Sequence, residues 1–271
     1  MSFAPGHVSL TFAVWPDDDP LKMGSTGMGL VLSKGVHCAV IDEKIDSPKN
    51  RIICKGKEID DPVTLRALEI LGFADKGLTI YMRRDLPLGF GLGISGASAL
   101  AACLEVEKDL EKCTIASHQA EVEFKTGLGD VMAISKSLND SIFPSIAVRE
   151  SPGYEGTVRI TPTDSKIVLC LSGLGRDTSK ILNDPQWIEM INAASLGIQL
   201  NNATLRSAIK VGRLFTEKTG LINDNISDIL SKVPIGAVAS IAHLGTSIVA
   251  TSNETTDLKN ALSEYGEVLE F

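Results

Sequence analysis

The chain has 271 residues, 44% of them hydrophobic and 22% charged, with a formal net charge of −8. That length is ample for a sizeable core in one or two domains, while a pI near 5.1 and the lack of any basic run beyond Arg83-Arg84 argue against a nucleic-acid surface. No apolar run reaches the ~18 residues of a membrane helix, no signal peptide opens the chain, and 5 scattered cysteines without a Cys-x-x-Cys pair suit reduced thiols in a cytoplasmic protein.

Residues 8–14 and 28–32 read as short apolar strands around a turn-rich segment. Within that segment Asp17-Asp18-Asp19-Pro20 reads as a solvated loop, because three adjacent carboxylates cannot converge on one ion from an ordinary turn. Residues 36–41 and 78–82 are β-rich. Asp61-Pro62-Val63 opens a helix with Leu65, Leu68, Ile70 and Leu71 on its apolar side. A glycine-rich run, 87–96, leads into an alanine-rich helix with Ser95 as its expected N-cap and Leu100 and Leu104 facing inward. A further helix spans 114–125 and is expected to stop at Gly127 and Gly129. Ser151-Pro152-Gly153-Tyr154-Glu155-Gly156 is the best boundary, dividing the chain into 1–150 and 151–271. Beyond it come a strand at 166–171, helices through 180–231 and an apolar strand pair within 235–251. This order suggests α+β rather than a strictly alternating parallel sheet.

Two segments carry chemistry. In PLGFGLGISGASAL (87–100), Gly89, Gly91 and Gly93 let the backbone turn with positive φ and approach a ligand closely. The following helix aims free N–H groups and its positive dipole end at whatever the loop holds, which favours a phosphate. Gly91-x-Gly93-x-x-Gly96 formally fits the dinucleotide pattern, but an acidic strand end about 20 residues on is missing. A Walker A loop needs a Gly-Lys-Ser/Thr ending, and no lysine occurs between 87 and 107.

The second segment is SHQAEVEFKTGLGD (117–130). His118 and Glu121 are i, i+3 and share a helical face, and the glycines after the helix present Asp130 at a fixed point. Such a carboxylate pair can hold a magnesium ion, which prefers oxygen ligands and is usually bound by one or two carboxylates plus phosphates, and can address a hydroxyl.

The pattern Pro-x-Gly-x-Gly-Leu-Gly-x-Ser-small-Ala resembles the second signature of the GHMP kinases, and Phe3-Ala4-Pro5-Gly6-His7-Val8 resembles the first. Ala-Glu (120–121) followed by Thr-Gly-Leu-Gly-Asp-Val, with Asp19-Pro20-Leu21, Gly24 to Gly29, Asp61-Pro62-Val63-Thr64 and Arg149-x-x-Pro-Gly, is most similar to the archaeal pantoate kinase branch. The resemblance implies a GHMP kinase fold, with a ribosomal-S5-like α+β domain (1–150) and a ferredoxin-like C-terminal domain (151–271). It also implies ATP-dependent phosphorylation of pantoate to 4-phosphopantoate on a route to coenzyme A. Carried onto this sequence, Gly89, Gly91, Leu92, Gly93, Ile94, Ser95, Gly96 and Ala97 would bind the ATP phosphates. Ser95 and Glu121 would ligate Mg2+, Asp130 would be catalytic, and Ser25, His118 and Arg149 would bind pantoate. His7 stands where mevalonate kinase-like members carry lysine, and its role is left open. The stretch between Asp130 and Arg149 is longer than the family's, so residues 136–145 are open to being a lid or to displacing Arg149. The third, C-terminal signature survives only as a degenerate run at 236–247. Other readings are a GHMP kinase for mevalonate, homoserine or shikimate, or a non-catalytic nucleotide sensor. The resemblance implies neither nucleic acid nor membrane as a partner, and it allows a homodimer.

Overall fold

The computed structural model describes residues 1–42, 49–173, 181–198, 204–222 and 224–271. Two sheets organise them. The first is built from β1 (Ser2–Trp15), β2 (Gly24–Asp42), β3 (Arg51–Cys54), β4 (Lys57–Ile59), β5 (Leu78–Arg84), β6 (Ser145–Arg149) and β7 (Val158–Pro162). Its order is β4-β3-β5-β2-β6-β7, with β1 paired on β2. The second has β8 (Val168–Ser172), β9 (Val238–Ile241), β10 (Ile248–Thr251) and β11 (Gly266–Glu270), in the order β11-β8-β10-β9.

The expected strands 28–32 and 36–41 are one continuous strand, β2. Ser33-Lys34-Gly35 interrupts the apolar pattern because the partner changes there. Gly27 to Val31 pair with β6 and Val36 to Asp42 with β5, while β1 runs along the opposite edge. The β1–β2 register shifts between Pro5 and His7 and again between Ser9 and Thr11, and such bulges re-aim side chains beside active sites.

Helices α1 (Pro62–Ile70), α2 (Ile94–Val106) and α3 (Leu110–Phe124) join the first sheet in the largest core cluster, and α4 (Asp130–Asp140) lies over β2, β6 and β7. Asp61 caps α1, its Oδ1 accepting from the Thr64 amide at 3.1 Å. Ala97, Ala99, Leu100, Ala101, Ala102 and Cys103 of α2 are each fully buried, and a helix that is apolar all round belongs inside. Ser95 is not its N-cap: Gly93 caps it with φ 60°, and Ser95 sits within the first turn. Helix α3 ends at Lys125, whose φ is 54°, and not at Gly127. Residues 136–145 form the last turns of α4, a short turn and the start of β6 rather than a lid, and Arg149 pairs with Gly27 inside the sheet.

The 151–156 segment is a turn between β6 and β7, so the first sheet runs past 150 and ends at Pro162. Beyond it, β8, the helices α5 (Pro185–Ser195), α6 (Leu205–Thr219) and α7 (Asp224–Ser231), then β9, β10, α8 (Thr255–Ser263) and β11 give a ferredoxin-like βαββαβ arrangement. Leu169, Leu205, Ala208, Ile209 and Val249 share a core cluster with Val8, Leu10 and Leu100, so the two sheets meet over one core. A Cβ at Gly212 of α6 would stand 3.1 Å from Leu10 Cβ, which is how closely α6 crosses β1.

Candidate active site

A cavity of about 310 Å3 opens where the glycine loop, the 126–130 turn and the β9–β10 hairpin meet, lined by Ser9, Asp60 to Val63, Leu88, Gly89, Gly91 to Ser95, Glu121, Thr126, Asp130, His243 and Leu244. Gly89, Gly91 and Gly93 have φ of 85°, 76° and 60°, all in the left-handed region where only glycine is unstrained. The loop rides on β1: the His7 amide donates to Leu92 O at 2.8 Å. It also abuts the hairpin, since a Cβ at Gly91 would stand 2.7 Å from Ala242 O. The first-turn N–H groups of α2, from residues 94–96, lack helical partners, and Ile94 and Ser95 line the cavity, a ready anion site. Among the described residues no lysine or arginine lines this cavity.

Glu121 is buried. Thr126 Oγ1 donates to its Oε1 at 2.9 Å, and Ser95 also hydrogen-bonds the carboxylate. Burial, and then the charge of Asp130, push its carboxyl up to about 8. Two glycines make the room for it: a Cβ at Gly96 would stand 2.7 Å from Glu121 Oε2, and one at Gly127 would overlap the same oxygen. The glycines at 127 and 129 thus serve the site rather than stopping the helix.

Asp130 is the first residue of α4, with its side chain 21% exposed to the cavity. His7 Nδ1 lies 2.6 Å from its Oδ1 and Ser9 Oγ 3.5 Å from the same atom. Burial works against the ionised carboxyl, but the hydrogen bond from His7 and the charge of Arg149 outweigh it and hold Asp130 below the ordinary carboxylate range. Burial likewise keeps His7 below its usual imidazole range despite Asp130.

Ser25 and Arg149 flank Gly129, where a Cβ would stand 2.5 Å from Ser25 Oγ and 2.6 Å from Arg149 Nε. Both are buried, and Arg149 Nη1 reaches His7 Nε2 at 3.2 Å. Arg149 Nε is buried without a hydrogen-bond partner. His118 shares the α3 face of Glu121 but turns elsewhere. Its Nε2 donates to Met23 O at 3.1 Å, and it supports the segment that leads into Ser25. The structure therefore brings Gly89, Gly91 to Ser95, Glu121 and Asp130 to one cavity, and leaves Gly96, Ala97, Ser25, Arg149 and His118 outside its lining, Ser25 and Arg149 flanking Gly129 beside Asp130.

Sequence reasoning assigned no role to His7, Ser9, Thr126 or Leu244. His7, Thr126 and Leu244 nevertheless stood inside quoted motifs, at 3–8, in the Thr-Gly-Leu-Gly-Asp run and in the degenerate run at 236–247; Leu244 has a φ of 65°, which the sequence does not betray. The Asp17–Asp19 run stays a loop, and among the described residues no cluster of three or more histidine, cysteine or acidic side chains could hold a metal. The described cysteines are all free, and no described helix is long and apolar enough to cross a membrane.

Residues 62–137 match the model of the GHMP kinases N terminal domain. The pantoate kinase of Methanocaldococcus jannaschii is 29% identical over 96% of this chain and 95% of its own length. That of Thermococcus kodakarensis is 28% identical over 97% and 91%. Among solved structures, a phosphotransferase related to the CoA biosynthesis pathway superposes with a TM-score of 0.77 at 24% identity, covering 100% of this chain and 97% of that one. The mevalonate kinase of L. major in complex with R-mevalonate gives 0.60 at 14% identity, covering 97% and 90%. These structural likenesses bear on the fold.

Proposed function

We propose that this chain, a member of the GHMP kinase superfamily, transfers the terminal phosphoryl group of ATP to the primary hydroxyl of pantoate, giving 4-phosphopantoate and ADP. The observation that carries the reading is that Glu121 and Asp130 face one cavity whose wall is the positive-φ glycine loop at the start of α2. The curated relatives' shared name supplies the acceptor.

In this reading the unit built on the first sheet carries the chemistry, and the ferredoxin-like unit beyond Pro162 closes the cavity with His243 and Leu244. Backbone N–H groups within residues 89–96 cradle the phosphates, the Ala97 amide being bonded to Gly93 O. Asp130 accepts the hydrogen bond of the attacking hydroxyl. Because phosphoryl transfer passes through a loose transition state, orientation matters more than basicity, and a carboxylate held below its ordinary range suffices. Ser25 and Arg149 take the pantoate carboxylate, arginine being its natural two-pronged partner. His118 steadies the segment that carries Ser25.

A Mg2+ ion fits the donor set of Ser95 Oγ and Glu121, both hard oxygens, with the carboxylate buried beside a second carboxylate whose charge a cation would offset. When bound it would neutralise charge on the transferring phosphoryl group. Free cysteines and the use of ATP support a cytoplasmic location for the enzyme.

The test is ADP release from purified protein with Mg-ATP and pantoate, mevalonate, homoserine or shikimate in turn. Turnover confined to pantoate, and abolished by Asp130→Asn with ATP binding retained, is the expected result. Turnover with another acceptor alone overturns the pantoate reading, and silence with all four overturns the kinase reading.

A further inference from the structure

His7 is fully buried and lies between the two charged groups that flank it: Nδ1 is 2.6 Å from Asp130 Oδ1, and Nε2 is 3.2 Å from Arg149 Nη1. Those two contacts settle its proton. A guanidinium has no acceptor, so Nε2 must present its lone pair to Arg149, and the single proton of the neutral ring sits on Nδ1 and is donated to Asp130. The chain also makes room for the ring. Position 29 of β2 is glycine, and a Cβ there would overlap His7 Nε2. A register shift of β1 on β2 lies between Pro5 and His7, directly before the ring. Both side-chain hydrogen bonds to Asp130, from His7 and Ser9, go to Oδ1. Oδ2 faces Gly127 and is the oxygen left for an incoming hydroxyl.

We infer that His7 is a positioning residue, locked in its Nδ1–H tautomer by Arg149, which holds the Asp130 carboxylate turned so that Oδ2 meets the acceptor hydroxyl. The inference rests on the kinase reading for its kinetic consequence but not for the tautomer. The charged and titratable groups facing this pair are Arg149 from β6 and Glu121 from α3, with Ser9 as the further polar neighbour on β1. A buried arginine beside a catalytic carboxylate would otherwise form a direct ion pair, taking an oxygen of Asp130 out of use. Interposing a neutral ring lets the cation polarise the donor without occupying the carboxylate.

Two isosteric variants separate the ring's halves. Asparagine places an amide where Nδ1 stands, and glutamine reaches the place of Nε2. His7→Asn keeps a donor for Asp130, whereas His7→Gln keeps only the Arg149 contact. The expected result is a kcat about tenfold or more lower in H7Q, the worth of a hydrogen bond to a charged group, with the ATP KM unchanged. H7N should recover most of that loss. Nitrogen-15 spectra of the labelled wild type at pH 7, with His7 assigned by its loss in H7N, should show an Nδ1-protonated neutral ring. An Nε2-protonated or cationic ring, or equal kcat losses in H7N and H7Q at matched thermal stability, would overturn the inference. If the wild type releases no ADP with pantoate, the functional reading fails, and the tautomer alone still decides the role of His7. If H7Q does not fold, the tautomer decides as well.

Discussion

Gly245, in the hairpin between β9 and β10, lies so close to Gly91 of the glycine loop that a Cβ at 245 would overlap the Gly91 amide nitrogen. The second sheet thus sets the position of a loop that belongs to the first. Gly245→Ala forces backbone apart rather than a flexible side chain, a strain of about 1–3 kcal/mol. The expected outcome is an ATP KM raised about fivefold or more, with a smaller change in pantoate KM. A variant with wild-type ATP KM would show that the hairpin does not hold the loop.

Arg149→Ala removes both the proposed carboxylate partner and the group that fixes His7. Pantoate KM should rise about tenfold or more, the cost of losing hydrogen bonds to a charged group, and kcat should fall as well. ATP KM should stay near the wild-type value. Steady-state kinetics with each substrate varied in turn makes the check; an unchanged pantoate KM removes Arg149 from the acceptor site.

Glu121 is kept for function at a cost to the empty protein. Its carboxyl, pushed up to about 8 by burial and by Asp130, binds its proton more tightly folded than unfolded. That contribution is fully present below the ordinary glutamate value and is lost as pH rises from there through about 8. Glu121→Gln, which cannot ionise, should therefore gain on the wild type in thermal stability between pH 6 and pH 9 without added metal, while losing turnover. Parallel melting curves over that range would contradict the burial argument, and retained turnover at ordinary Mg2+ would remove Glu121 from metal binding.

His243 gives the opposite pH dependence. It is fully buried, with Nε2 3.0 Å from Thr216 Oγ1 and its ring edge-on to Phe215, and burial lowers it to about 3. The unfolded chain takes up the proton near 6.5 and the folded one does not. Stability is thus intact above that value and falls as pH drops from about 6.5 toward 3. At pH 5.5 the loss through this ring alone is about 1.4 kcal/mol, and His7 and His118, also lowered by burial, act in the same direction. Urea unfolding at pH 7.5 and 5.5 should show the wild type losing that much more than His243→Gln. Equal losses would show that the ring is not buried neutral.

The α+β class, the helix start at Asp61, the glycine loop that leads into α2, and the meeting of Ser95, Glu121 and Asp130 at that loop were all legible, because each is written in a short run of residues. Less legible was what the local signals do in place. Ser95 has the chemistry of an N-cap, but Gly93, at positive φ, takes that position and leaves the serine hydroxyl for Glu121. The glycines after α3 look like a helix stop, yet Lys125 ends the helix and the missing Cβ atoms shape the cavity. His118 and Glu121 share a face by periodicity, but one turns to the Pro20–Met23 carbonyls and the other to Ser95 and Thr126.

By itself the sequence determined where glycine frees the backbone to take positive φ in the 87–96 loop, which segments bury a face, and which residue types stand ready for phosphate and hydroxyl chemistry, since all of these follow from local sterics and periodicity. Only the tertiary structure decided that His7, on the first strand, would meet Arg149, 142 positions along the chain, and that Asp130 would take its bond from that ring. Strand pairing between β1, β2 and β6 sets that meeting, and a glycine opposite the ring permits it. Such a contact depends on register summed over three strands, a quantity that no short window of sequence contains.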